Sequence, residues 1–122
     1  MSTSFRPYPI DQLPVGFEYP SALLKIAATG DYPNIYPWWF VDADTKAGAL
    51  FHSTRLSDGR NLVPFAKVDD GRGDIACFDG NDTTGNPAVF MLILDDSERS
   101  YSYVDFADWL RAAQADAVRW QE

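Results

Sequence analysis

The last fifth of the chain imposes the strongest constraint on its fold. Phe106, Trp109, Leu110, Ala113, Ala117 and Trp120 recur at spacings of three and four residues, the period of a helix with one apolar stripe. Such a helix is stabilised mainly by packing that stripe against another apolar layer. Arg111 and Arg119 fall on its outward side. Ser102 is placed to cap it, with Asp105 three residues on, a relative of the capping box. The opposing layer has to come from upstream, where short apolar runs alternate with turn sequences: Asn61–Val68, Ile75–Phe78, Ala88–Leu94 and a brief Arg99–Tyr101. Ala88–Leu94 (AVFMLIL) is apolar throughout, which predicts a central strand covered on both faces. Pro64 cannot donate a ladder bond, so its strand lies at an edge or carries a bulge there.

The first half is less regular. Prolines at 7, 9, 14 and 20 make residues 1–19 an extended arm, which Phe5, Tyr8, Ile10 and Leu13 would pin to the body. Ser21–Thr29 reads as a helix with Pro20 in its first turn, an inward stripe of Leu23, Leu24, Ala27 and Ala28, and Gly30 as its stop. Trp38-Trp39-Phe40-Val41 is a short buried strand. Its two tryptophans point to opposite faces, one into the core and the other outward. Asp44 would cap a second helix, Thr45–Leu56, with Ala47, Leu50, Phe51 and Thr54 on one face. Gly48 counts against that helix. Helices at both ends with adjacent strands between them predict an α+β fold, and 122 residues suit one domain, 1–122.

Aromatic residues make up 15% of the chain, which excludes intrinsic disorder. No apolar run approaches the ~20 residues that span a bilayer, so no membrane partner is expected. The opening MSTSFRPYPIDQLP lacks a basic region followed by an apolar stretch. With a single cysteine, this predicts a cytoplasmic protein. The net charge is −8, and fifteen of the eighteen acids are Asp, the residue of caps and turns. Asp69, Asp70, Asp74, Asp79, Asp82, Asp95, Asp96 and Glu98 face one base, Arg72, within thirty residues, leaving that window at −7. An acidic surface by itself serves solubility. Concentrated in a quarter of the chain, it reads as a face that meets a basic protein, and it excludes nucleic acid as a partner.

Catalytic patterns are sparse. The one histidine, His52, lies in mid-helix, and the one cysteine, Cys77, lies in a strand. Together they are too few for a structural zinc site, and no glycine-rich phosphate loop is present. Asp42-Ala43-Asp44 and Asp79-Gly80-Asn81-Asp82 look like fragments of oxygen-ligand cation sites. An EF-hand loop starting at Asp79 would need Glu at position twelve, where Phe90 stands. Arg72-Gly73-Asp74 spells an adhesion tripeptide only by coincidence. No catalytic residue, metal or cofactor is assigned.

Leu62-Val63-Pro64-Phe65-Ala66, Gly73-Asp74-Ile75-Ala76-Cys77-Phe78-Asp79 and Phe106-Ala107-Asp108-Trp109-Leu110 follow one another in an order that resembles the SUKH superfamily. The likeness runs from about Leu13 to Leu110, with SALLKIAAT ending at Gly30 without the usual Asn-Gly pair. It implies a twisted, mainly antiparallel sheet of about four to six strands with flanking helices and no catalytic role. Fungal members of that family regulate cell-wall synthesis; bacterial members act as immunity proteins. The expectation is therefore a non-enzymatic protein that neutralises a cognate toxin, often a nuclease or deaminase, with the eight acids as its binding residues. A regulatory interaction module and a metal-dependent enzyme using the Asp clusters are the alternatives.

Overall fold

The C-terminal stripe folds as its spacing predicts through Ala117; the Trp120 side chain lies outside the described residues. In a computed structural model, which describes residues 5–30, 32–54, 61–69, 74–93 and 101–120, helix α3 spans Phe106–Trp120 and buries Phe106, Trp109, Ala113 and Ala117. Its layer is a five-stranded sheet of β1 (Trp38–Phe40), β2 (Leu62–Val68), β3 (Ile75–Asp79), β4 (Val89–Leu92) and β5 (Ser102–Tyr103). The strands lie in chain order, each antiparallel to the next. Helices α1 (Ser21–Thr29) and α2 (Lys46–Thr54) complete an α+β fold.

Aromatic rings hold α3 to the sheet. Trp109 meets Trp38 at 5.4 Å and Phe65 at 4.9 Å, both edge-to-face, while Phe106 lies 5.8 Å from Phe65. Phe65 stacks on Phe78 at 4.1 Å. Trp38 is 8% exposed and Trp39 38%, as side-chain alternation along a strand requires. Trp39 turns to the other face, where its ring lies 6.0 Å from that of Phe51 in α2.

Pro64 produces the irregularity expected of it. β2 is an interior strand, and its register against β3 shifts between Pro64 and Ala66. The bulge lets the sheet accept a residue without an N–H. β4 is second from the edge rather than central; β3 holds the centre, and Phe90 of β4 is half-buried. Arg99 and Ser100 lie outside the described residues, and the last strand is Ser102–Tyr103.

Both helix starts differ from expectation. Ser102 belongs to β5, and α3 is capped by Asp105, whose Oδ1 accepts the Asp108 N–H at 2.9 Å. Asp108 reciprocates by accepting the Val104 N–H at 3.2 Å. In α2 the cap is Thr45, whose hydroxyl accepts the Gly48 N–H at 3.0 Å; Asp42, not Asp44, braces the turn before it. Gly48 is buried, and a Cβ there would overlap the Asp42 carbonyl oxygen. The glycine that argued against this helix is what allows its close approach to residues 42–43. Leu50 is exposed, so α2 packs through Phe51 and the Gly48 side. In α1 the inward residues are Leu23, Ile26 and Ala27, while Leu24 and Ala28 face out. Gly30 ends α1 at φ 70°, its N–H bonded to the Ile26 carbonyl, a left-handed conformation suited to glycine.

The Asp105 cap carries a pH prediction. The Asp108 N–H and the Asn86 amide hold the Asp105 carboxyl below the usual range. A carboxylate with a depressed folded pKa contributes stability above its unfolded pKa, and that contribution is lost as pH falls through the folded value. Asp105→Ala is expected to lower Tm by roughly 3–6 °C at pH 7. Asp105→Asn, itself a good cap, should lower it less, and the deficit of both should shrink towards pH 3. Melting curves across pH test this; a deficit for Asp105→Ala that stays constant with pH would contradict it.

Candidate protein-binding surface

In an antiparallel meander successive connections alternate between the two ends of the sheet. The β2–β3 connection leaves at Asp69 and returns at Asp74, while the β3–β4 connection carries Asp79 and Asp82 at the other end. Asp74 and Asp79 are five residues apart along β3, about 16 Å at ~3.3 Å per residue. That exceeds the screening length of ~8 Å in physiological salt. The two groups therefore act as separate patches, not one face. Asp70, Asp95, Asp96 and Glu98 lie outside the described residues.

Asp74, expected among the binding residues, does not stand on the surface. It is 2% exposed, and its Oδ2 accepts the Tyr101 hydroxyl proton at 2.6 Å. It ties the start of β3 to the approach of β5 and is not presented to a partner. Asp69 is exposed, and its N–H bonds the Pro37 carbonyl at 2.9 Å. Asp79 and Asp82 are half-buried and fold their own loop. Asp79 Oδ1 accepts the Asn81 N–H at 3.0 Å; Asp82 Oδ1 accepts the Thr84 hydroxyl at 2.6 Å and the Thr84 N–H at 2.9 Å. Those Thr84 bonds hold the Asp82 carboxyl below its ordinary pKa, so it stays charged.

The other aspartate pair shares one arginine, which offsets half of its charge. Arg6 reaches Asp44 at 2.7 Å and Asp42 at 3.5 Å. Among the described residues no three His, Cys, Asp or Glu side chains converge on a point that would hold a metal ion. His52 donates through Nε2 to the Gln12 carbonyl at 2.9 Å and packs on the Tyr8 ring. Cys77 is fully buried in β3.

The N-terminal arm joins the Asp79–Asp82 end. A Cβ on Gly80 would stand 2.8 Å from Pro14, one on Gly16 would stand 3.0 Å from the Thr83 methyl, and one on Gly85 would stand 3.3 Å from the Glu18 carboxylate. Asn86 links the same loop to Asp105 at 3.3 Å. This end thus brings Glu18 and Asp105 to the Asp82 loop, with Asp11 lining a hollow shared with Asn61, whose amide donates to Asn81 Oδ1 at 3.4 Å. Asp11 and Glu18 come from outside the −7 window because the arm returns to the loop across more than sixty residues of chain, and Asp105 comes from the start of α3.

The arm is pinned differently from expectation. Phe5 and Tyr8 are buried, but Ile10 is 86% exposed, and Phe17 takes the anchoring role between Tyr19 and Phe78. At the opposite end of the sheet a hollow of about 320 Å³ is lined by Phe5, Tyr32, Tyr36, Trp39 and Phe40, with Asn34 at its side. The Lys67 ammonium stands 6.0 Å from the Trp39 ring, at the outer limit for a cation–π contact.

Comparison with known protein families, with curated proteins and with solved structures gives no match to this chain. No helix among the described residues is long and apolar enough to cross a membrane.

Proposed function

We propose that this chain is a non-enzymatic immunity protein: it binds a cognate toxin domain of basic surface, of the kind that acts on nucleic acid, and blocks it. The observation that carries this reading is the set of carboxylates at the ends of the sheet, Asp69 at one and Glu18, Asp79, Asp82 and Asp105 at the other, in a chain of net charge −8. A toxin that holds a polyanion needs a cationic cleft, and carboxylates can stand there in place of phosphates. Such complementarity speeds encounter and rejects wrong partners more than it sets affinity.

Two further observations support it. The one histidine bonds a backbone carbonyl of the arm and the one cysteine is buried in β3, so each serves the packing of the fold. The residues behind the SUKH resemblance serve the fold: Pro64 makes the bulge and Trp109 fills the core. That agrees with a scaffold whose activity resides in its surface.

The test is co-purification with toxins encoded beside the gene, followed by inhibition of the captured toxin's activity. The expected result is a stoichiometric complex whose association slows steeply with salt, and loss of toxin activity within it. Binding without inhibition, or an association rate indifferent to salt, would overturn the reading.

A further inference from the structure

Apolar side chains are held outward between two anchors at one end of the sheet. Tyr8 is fixed by its hydroxyl, which donates to the Gly48 carbonyl. Phe17 is fixed in the ring cluster with Tyr19 and Phe78. Between them the chain makes two tight turns, with the Gln12 N–H on the Pro9 carbonyl at 2.9 Å and the Phe17 N–H on the Pro14 carbonyl at 3.1 Å. These turns display Ile10 at 86% and Val15 at 100% exposure. The display is ordered in advance, so a ligand need not supply the entropy of fixing the loop.

Two hollows flank the ridge of Leu13, Pro14 and Val15. One, of about 380 Å³, is lined by Ile10 and Glu18 among others; the second, of about 370 Å³, is lined by Asp11, His52 and Asn61. Asp82 and Asp105 stand on the adjoining loop and helix cap. No lysine or arginine among the described residues lines either hollow. An apolar centre with a rim of one sign of charge is the layout of a protein-binding patch, and the sign selects the partner. A second copy of this chain would bring its own −8 and be repelled.

We propose that the Ile10–Val15 ridge with its Asp11 and Glu18 rim is a docking surface for a cationic amphipathic segment of a partner protein. That segment seats its apolar side chains on Ile10, Val15 and the hollow beside Glu18, and sets lysines or arginines against the carboxylates of Asp11 and Glu18. The proposal rests on the toxin-binding reading for the identity of the partner, though not for the existence of the surface.

The test uses the full chain, labelled with nitrogen-15, and three synthetic peptides of eighteen residues. One alternates Leu and Lys at helical spacing, one replaces its Leu by Ser, and one replaces its Lys by Glu. Only the Leu/Lys peptide is expected to bind, with chemical-shift changes centred on residues 10–18 and 82–86. Ile10→Ser with Val15→Ser, at positions too exposed to affect folding, should weaken it at least tenfold. Asp11→Asn with Glu18→Gln should flatten the salt dependence. Equal binding of the Ser/Lys peptide, shifts centred elsewhere, or an unchanged affinity of the Ile10→Ser/Val15→Ser chain would overturn the proposal. So would self-association of the free chain that the same double variant abolishes, which would assign the ridge to a second copy. Failure of the toxin reading looks different: the peptide binds at the ridge, yet no toxin is captured. A toxin captured equally well by the Ile10→Ser/Val15→Ser chain would overturn this surface alone.

Discussion

Trp109→Ala is expected to destabilise the protein by roughly 3–5 kcal/mol, the cost of removing a large ring from a packed core. Trp109 is 1% exposed and has aromatic neighbours on several sides: Trp38 and Phe65 edge-to-face, Phe106 stacked at 5.8 Å, and Phe40 at 6.2 Å. No single neighbour can close the space, because Phe40, Phe65 and Phe106 are each held by other rings. Phe65 is stacked on Phe78 and Trp38 is fixed in β1. Domains of this length are stable by only about 5–15 kcal/mol, so the loss is a large fraction of the total. Denaturant unfolding should show a lower midpoint with an unchanged slope. Leu110→Ala, half-buried on the same helix, should cost clearly less. Equal losses for the two variants would show that α3 is held by general apolar contact and not by the ring cluster.

Gly48→Ala should destabilise by about 1–3 kcal/mol, against the direction that helix propensity gives. In an exposed helix the exchange of Gly for Ala gains about 1 kcal/mol. Here the added methyl would overlap the Asp42 carbonyl oxygen and crowd the Ala43 Cα at 3.0 Å. The 42–45 turn cannot easily retreat. The Ala43 N–H is bonded to the Arg6 carbonyl at 2.8 Å, and the Asp44 N–H to Asp42 Oδ1 at 2.9 Å. Overpacking of this kind costs roughly 1–3 kcal/mol, and pushing α2 away also strains the hydrogen bond from Tyr8 to the Gly48 carbonyl. Ala49→Gly, at the exposed neighbouring position, should cost only the propensity term of about 1 kcal/mol. Thermal melts of the two variants separate the mechanisms. A stabilised Gly48→Ala chain would mean that α2 does not approach residues 42–43 as described. Since Tyr8 anchors the exposed arm, the same variant should also weaken partner binding at the Ile10–Val15 ridge.

Local chemistry was legible wherever one residue decides the outcome. Proline without an N–H forced the bulge at Pro64. Alternation along a strand sent Trp38 inward and Trp39 outward. The left-handed preference of glycine ended α1 at Gly30. The 3/4 stripe marked α3 through Ala117. The starts of α2 and α3 were misplaced because Ser, Thr and Asp cap equally well by type. Only geometry separates Thr45 from Asp44 and Asp105 from Ser102.

The surface was not legible in this way. A run of acids in sequence says nothing about which end of a sheet each connection occupies. Antiparallel order sends Asp69 and Asp82 apart, burial removes Asp74 from the surface, and the folded-back arm brings Glu18 to the Asp82 loop and Asp11 to the hollow beside Asn61. The sequence by itself determined the elements, the apolar layer between them and the net charge, because each follows from residues close in the chain. Which carboxylates stand together, and that Ile10 and Val15 stand beside them, was decided only by tertiary structure, since those positions are set by contacts between segments more than sixty residues apart.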